Sequence, residues 1–396
     1  MRRMLSVAGA LTVLTVLTVL TVIAAALSSA PAQASPLVQV DAVNGQVVPG
    51  EYIVTLQPGA SGDAAQRAGI AAMHTYRHAI TGFAAKLTDR QLRALQRDRD
   101  VLAIEPNQVV HALGATSAGV GPAAPTAQWN LDRIDQRLLP LNGQYNFTAT
   151  GLGVAAYIID TGIQPGLAEF GGRAAVAFDA LGGNGIDCNG HGNTVAGFAG
   201  ANTYGVAKQV RLLGVRVLNC SGSGTISQVI AGVDWVRANS PGPAVANMSL
   251  GGGKSAAMDT AVNNLANSGV FVAVASGSSA SDACNFSPAG AAQAFAVAAS
   301  DRTDRVASFN NFGPCLKMYA PGVSVTSIGL NGTPITVSGG SWSTAHVTGV
   351  AAMYKQRFGD QSTATVRNWL ITVSTKNVLI GVPPNTANRL LYTNLI

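Results

Sequence analysis

Charge is scarce in this chain. Only 11% of its 396 residues are Asp, Glu, Lys or Arg, which excludes a disordered polyelectrolyte, since such segments need high net charge and little apolar content. The formal net charge is +6, but no basic run gathers it, so nucleic acid is not expected as a partner. The positive balance concerns solubility or attraction to anionic surfaces. Cys-x-x-Cys spacing is missing as well, which weakens a thiolate metal site. Glycine is plentiful instead, at 45 residues. The chain is therefore compact and loop-rich, with length for one large domain plus smaller pieces.

Met1-Arg2-Arg3 precedes an uncharged run through Leu27, and Ala32-Gln33-Ala34 offers a small-x-small cleavage site. This pattern predicts a secretory signal peptide over 1–34, cut before Ser35. The alternative is a retained anchor, because residues 4–27 are long enough to span a bilayer. The signal-peptide reading makes the protein secreted, with no stable membrane association. Four cysteines follow, Cys188, Cys220, Cys284 and Cys315. An even count in an exported chain suggests two disulfides, for which three pairings are possible.

Apolar periodicity divides the rest. Residues 52–56, 83–87 and 101–105 read as strands and residues 64–73 and 89–96 as helices, a pattern that suits a small ferredoxin-like α+β unit. Gly114 to Gln128 is rich in Ala, Gly, Pro, Ser and Thr and reads as a linker. From Trp129 onward, near-continuous apolar strands (154–159, 210–217, 244–248, 270–275, 294–298) alternate with helical segments. That predicts an α/β fold, a doubly wound and mainly parallel sheet with helices on both faces.

Three stretches carry chemistry. Tyr157-Ile158-Ile159-Asp160-Thr161-Gly162 is a short apolar strand ending in a carboxylate at a turn. Asn189-Gly190-His191-Gly192-Asn193 sets a histidine between glycines before a small-residue helix. Ser338-Gly339-Gly340-Ser341-Trp342-Ser343 runs from a hydroxyl-rich turn into a buried helix, where exposed N–H groups and the helix N-terminus would stabilise negative charge. Singly, Asp160 is a turn former, His191 a loop histidine and Ser341 a helix cap. Together they run Asp, His, Ser, the order found in subtilisin.

With Tyr204-Gly205-Val206-Ala207-Lys208, Gly214-Val215-Arg216-Val217-Leu218, Ala246-Asn247-Met248-Ser249-Leu250-Gly251 and Asn388-Arg389-Leu390-Leu391-Tyr392, nearly the whole chain resembles the subtilisin family of serine proteases, in its proteinase K and aqualysin branch. The resemblance implies a propeptide over 35–112 that templates folding and blocks the cleft, self-cleavage within 113–128, and a catalytic domain over 129–396. It implies acyl transfer by Asp160, His191 and Ser341, with the protein a monomer and its own propeptide an intramolecular inhibitor. It selects the pairs Cys188–Cys220 and Cys284–Cys315. Extended polypeptide substrates would lie between Gly222-Ser223-Gly224 and Ser249-Leu250-Gly251. Ala275, Ser276 and Gly277 would line the first pocket, with broad apolar or aromatic preference. A structural Ca2+ would be held by Asp132, Asp135 and Gln136. The family's tighter calcium site needs an Asp where this chain has Lys317.

Other positions depart from the family as well. Ser278 stands where an asparagine side chain completes the oxyanion hole beside the Ser341 N–H. A hydroxyl is a shorter arm, so reduced activity is expected. Trp342 replaces a Met, and overpacking is expected to displace Ser341. Ala345 replaces a Pro that fixes φ near the helix start. Two other functions remain open: a catalytically impaired pseudoprotease that binds peptides, and a serine hydrolase preferring esters or polyesters.

Overall fold

The computed structural model describes residues 37–119 and 128–396. The expected signal peptide over 1–34 and the 120–127 part of the expected linker lie outside the described residues.

Among the described residues nine strands form the larger sheet. Its centre is the run Arg211–Arg216, Ala155–Asp160, Ala244–Met248, Phe271–Ala275, Phe295–Ser300 and Leu316–Pro321, all parallel. Chain order reverses beside Ala155–Asp160: strands Ala174–Asp179 and Arg211–Arg216 lie on one side of it and Ala244–Met248 on the other. Open parallel sheets gather their active groups at such a switch point, at the carboxyl ends of the strands. Asp160 is the last residue of its strand.

Both faces are covered, which is why the strands are apolar throughout rather than alternating. Helices His191–Gly200 and Gly340–Phe358 close one face, where Phe198, Val350 and Ala351 pack with Ile158, Val245 and Val297. Helices Ile226–Asn239 and Ala256–Asn267 close the other, burying Val229, Val233 and Leu265 against Ile159, Val215 and Val272.

The ferredoxin-like unit packs on those last two helices through Ile53, Tyr76, Ile80 and Ala84. Its sheet runs Val101–Ala112, Val47–Leu56, Gly82–Lys86 and His74–Tyr76, all antiparallel. A separate small core holds Val54, Phe83, Leu95 and Ile104. Residues 64–73, expected as one helix, give only the turn Ala64–Arg67, because Gly69 takes a positive φ of 61° and ends it. The strand expected over 101–105 continues to Ala112. Its second half leaves the ferredoxin-like sheet and pairs antiparallel with both Ser223–Thr225 and Leu250–Gly253. Past Gly114 the expected linker begins with another strand, Ala115–Gly119, paired antiparallel with Pro334–Ser338.

Candidate active site

Asp160, His191 and Ser341 come together across the top of the sheet. Each is almost wholly buried, at 0%, 2% and 0% exposure. His191 Nδ1 lies 2.7 Å from Asp160 Oδ1, and His191 Nε2 lies 3.0 Å from Ser341 Oγ. Asp160 Oδ1 also accepts the Thr161 N–H at 2.7 Å. An Nδ1–H donated to that carboxylate leaves Nε2 as the acceptor facing the serine hydroxyl.

Local chemistry fixes these positions. His191 opens its helix, and Asp187 holds the turn before it: Oδ1 accepts from Asn189 N and Gly190 N, each at 2.9 Å, and Oδ2 from Asn193 N at 2.8 Å. The Thr161 hydroxyl donates to Asp187 Oδ1 at 2.9 Å, tying the aspartate loop to the histidine turn. Gly192 is obligatory there, since a Cβ would come 2.2 Å from the Gly162 carbonyl. Sequence reasoning passed over Asp187. Its only signal was an acidic residue before a glycine-rich turn.

Trp342 does not displace Ser341. Its ring is fully buried, 4.8 Å from the His191 ring and 5.8 Å from that of Phe198. The extra volume fits because Gly114 and Gly339 present no Cβ toward it. Without the family's Pro, the helix still starts at Gly340 and runs through Ala345. His346, one turn beyond Trp342, lies with Nδ1 2.7 Å from the Trp342 carbonyl and Nε2 2.8 Å from Asn130 Nδ2. Burial pushes this imidazole down to about 4.

The cleft holds the chain's own residues 109–113. Val109 pairs with Thr225, Val110 with Gly224 and His111 with Ser223 on one side. Leu250 pairs with Ala112, Gly251 with His111 and Gly252 with Val110 on the other. Ala112 N donates to Gly222 O at 2.9 Å, and Leu113 N to Ser249 O at 3.0 Å. Main-chain pairing of this kind reads backbone more than sequence. Leu113 lies in a cavity with Gly251, Ala275, Ser276, Gly277 and Ser278. A Cβ on Gly251 would meet Leu113 Cδ1 at 2.9 Å, so a glycine there makes the room.

The Leu113 carbonyl oxygen accepts the Ser341 N–H at 3.2 Å and is in contact with Ser341 Oγ. Ser278 borders the same cavity but is exposed. Among the described residues its hydroxyl makes no hydrogen bond to that oxygen. Asn311, another residue passed over, pins the loop: Oδ1 accepts Ser279 N at 2.8 Å and Nδ2 donates to Ser276 O at 3.0 Å.

Disulfides close Cys188 to Cys220 and Cys284 to Cys315. On the helix Trp129–Asp135, Asp132 accepts Gly143 N at 2.7 Å, and Asp135 Oδ2 accepts Asn146 N at 2.6 Å. Among the described residues Asp135 Oδ1 is buried without a partner. Burial, with a smaller contribution from the Asp132 charge, holds the Asp135 carboxyl above its usual range. The Gln136 amide sits 2.8 Å from the Pro140 carbonyl. Among the described residues no cluster of three or more His, Cys, Asp or Glu side chains forms a metal site. Lys317 Nζ donates to Pro314 O at 3.2 Å. Its pKa is lowered by burial and by Arg367 and Arg389 nearby.

Known proteins resemble this chain in sequence and fold. A model described as the subtilase family matches residues 151–390, and one described as peptidase inhibitor I9 matches residues 51–113. The extracellular serine proteinase of Thermus sp. (strain Rt41A) is 48% identical over 322 residues, 80% of this chain and 77% of that protein. Alkaline serine exoprotease A of Vibrio alginolyticus is 45% identical over 318 residues, covering 80% of this chain and 59% of that protein. Proteinase R of Parengyodontium album is 36% identical over 370 residues, covering 91% and 92%. A solved structure of a cold-adapted subtilisin-like serine proteinase superposes with a TM-score of 0.66 at 47% identity, covering 68% of this chain and 98% of that one.

Proposed function

The chain belongs to the subtilase family of serine endopeptidases, and from that premise we propose that it is secreted, cuts off its own propeptide and hydrolyses peptide bonds through Asp160, His191 and Ser341. The domain plan proposed with this is a signal peptide over 1–34, a propeptide over 35–112, a self-cleavage region within 113–128 and a catalytic domain over 129–396.

The observation that carries the reading is the line Asp160–His191–Ser341 with a peptide carbonyl held at the Ser341 N–H. His191 takes the Oγ proton as Ser341 attacks the carbonyl carbon, and Asp160 stabilises the imidazolium. The tetrahedral oxygen is held by the Ser341 N–H, with the exposed Ser278 hydroxyl reaching it only through water. The C–N bond then breaks and His191 passes its proton to the leaving amine. Water, deprotonated by His191, opens the serine ester and restores the enzyme. Apolar side chains are favoured in the pocket of Gly251, Ala275, Ser276 and Gly277, as Leu113 is.

For a structural Ca2+ at Asp132, Asp135 and Gln136, the support is the buried Asp135 carboxylate oxygen that has no partner among the described residues, a hard donor of the kind such a cation takes. At Lys317 the residues do not fit, because an ammonium already donates to a carbonyl and further cations lie close.

The lone strong oxyanion donor favours one second reading, a preference for esters, whose better leaving groups tolerate a poorer hole. Rates on matched leucyl amide and leucyl ester substrates, for wild type and Ser341→Ala, test both. Amide hydrolysis that disappears in Ser341→Ala supports the endopeptidase. Ester hydrolysis with no amide hydrolysis supports the second reading, and neither activity leaves a peptide-binding protein.

A further inference from the structure

We infer that Trp342 restricts the residue after the cleaved bond to glycine, and that the bond the chain cuts in itself is Leu113–Gly114. The inference rests on the peptidase reading above and adds to it a specificity on the leaving-amine side.

The register fixes the bond. Leu113 N is held by Ser249 O, its side chain lies against Gly251 and lines the pocket there, and its carbonyl oxygen faces Ser341 N. The amide joined to that carbonyl is that of Gly114. Beyond it, Ala115 pairs with Ser338 and Gly119 with Thr336. The chain is therefore held as a strand on both sides of the bond, and Gly114 has little freedom to withdraw.

The space at Gly114 excludes a side chain. A Cβ there would lie 2.7 Å from Trp342 Cζ2, 3.2 Å from Trp342 Cε2 and 3.3 Å from His191 Nε2. The first distance is below any ordinary carbon contact. The indole cannot swing clear, because it is fully buried and packed between the His191 and Phe198 rings. Gly339 closes the pocket from the other side: a Cβ on it would come 2.9 Å from Gly114 Cα and 3.1 Å from Trp342 Nε1. One wall is thus the ring that accepts the serine proton and the other is its rigid neighbour. A methyl group at position 114 would have to push His191 away from Ser341 or leave the bond out of line. Either lowers the rate of acylation.

In chemical terms, Ser341 Oγ forms an ester with the Leu113 carbonyl carbon, the Leu113–Gly114 C–N bond breaks, and the proton from Ser341 passes through His191 to the Gly114 amine. Water then releases a propeptide ending in the Leu113 carboxylate and a mature chain starting at Gly114.

The test uses the secreted, processed enzyme and peptides spanning residues 108–119, with Gly, Ala or Val at position 114. Wild type is expected to cleave after Leu113 with kcat/KM at least tenfold higher for Gly than for Ala, and higher again over Val. Trp342→Met is expected to bring the Gly and Ala rates within about threefold. In the full chain, Gly114→Ala slows self-processing and Trp342→Met restores it. Equal wild-type rates on the Gly and Ala peptides overturn the glycine restriction while leaving the peptidase reading intact. Cleavage at another bond overturns the register. Failure to cut any peptide overturns both readings together. The wild-type comparison needs no variant to fold.

Discussion

The carbonyl oxygen of Leu113 lies 3.2 Å from the amide nitrogen of Ser341. The first occupant of the cleft is therefore the protein's own chain, delivered by a strand that begins in the ferredoxin-like unit and ends between the two edge strands of the catalytic unit. Under the proposed self-cleavage, cutting that segment would not by itself free the site, because the pairing of residues 109–112 lies wholly on the propeptide side of the bond. In that proposal, inhibition and first turnover use one set of contacts.

The oxyanion hole gives the first prediction. Asparagine at 278 places an amide donor where the serine hydroxyl falls short. Ser278→Asn is expected to raise kcat on amide substrates, toward the roughly 10²–10³ measured for such a donor in subtilisin, with a smaller gain on esters. A kcat within twofold of wild type would show that Ser278 is not limiting.

Inhibition is held away from the cleft too. Glu105 accepts Ser255 Oγ at 2.6 Å and Ala257 N at 2.7 Å, at the N-terminus of the helix Ala256–Asn267. A carboxylate there is favoured by the helix dipole. Glu105→Ala should weaken the cleaved propeptide's hold roughly 10–100-fold, the equivalent of about 1.5–3 kcal/mol for hydrogen bonds to a charged group. The lag before activity appears would shorten. An unchanged lag contradicts it.

Stability should fall in mild acid. His346 is pushed by burial to about 4, below the 6.5 of an exposed imidazole. Between those values the folded chain binds fewer protons than the unfolded one, so stability is full above about 6.5 and declines as pH drops toward 4. The loss approaches roughly 3 kcal/mol at 1.36 kcal/mol per pKa unit. Urea midpoints at pH 7 and pH 5, in a Ser341→Ala background that prevents self-digestion, measure it. His346→Gln should flatten this component, and an unaltered slope would contradict the assignment.

Chelation is the last of these. Removing Ca2+ should lower the melting temperature of Ser341→Ala, and Asp135→Asn should remove most of that response, since it neutralises the carboxylate with the unpartnered oxygen. An equal chelator effect in both would place the ion elsewhere.

Much of this was legible before the fold was known. Asp160, His191 and Ser341 sit in short stretches whose composition carries their geometry: an apolar strand ending in a carboxylate, and glycines where backbones approach. The parallel sheet followed from apolar runs too continuous for a half-exposed strand. Asp187 and Asn311 were not legible, because an acid or amide that pins a loop looks like any polar loop residue. The seating of Leu113 was hidden for another reason. It depends on pairing Val109 with Thr225 and Ala112 with Leu250, segments far apart in the chain. Trp342 looked like overpacking because the glycines that admit it, Gly114 and Gly339, come from different segments.

The central claim is that Asp160, His191 and Ser341 cut peptide bonds despite Ser278. The mass of the secreted protein, wild type beside Ser341→Ala, tests it most directly. The account predicts that wild type loses its propeptide while Ser341→Ala retains it. Both proteins remaining full length after signal removal would contradict it.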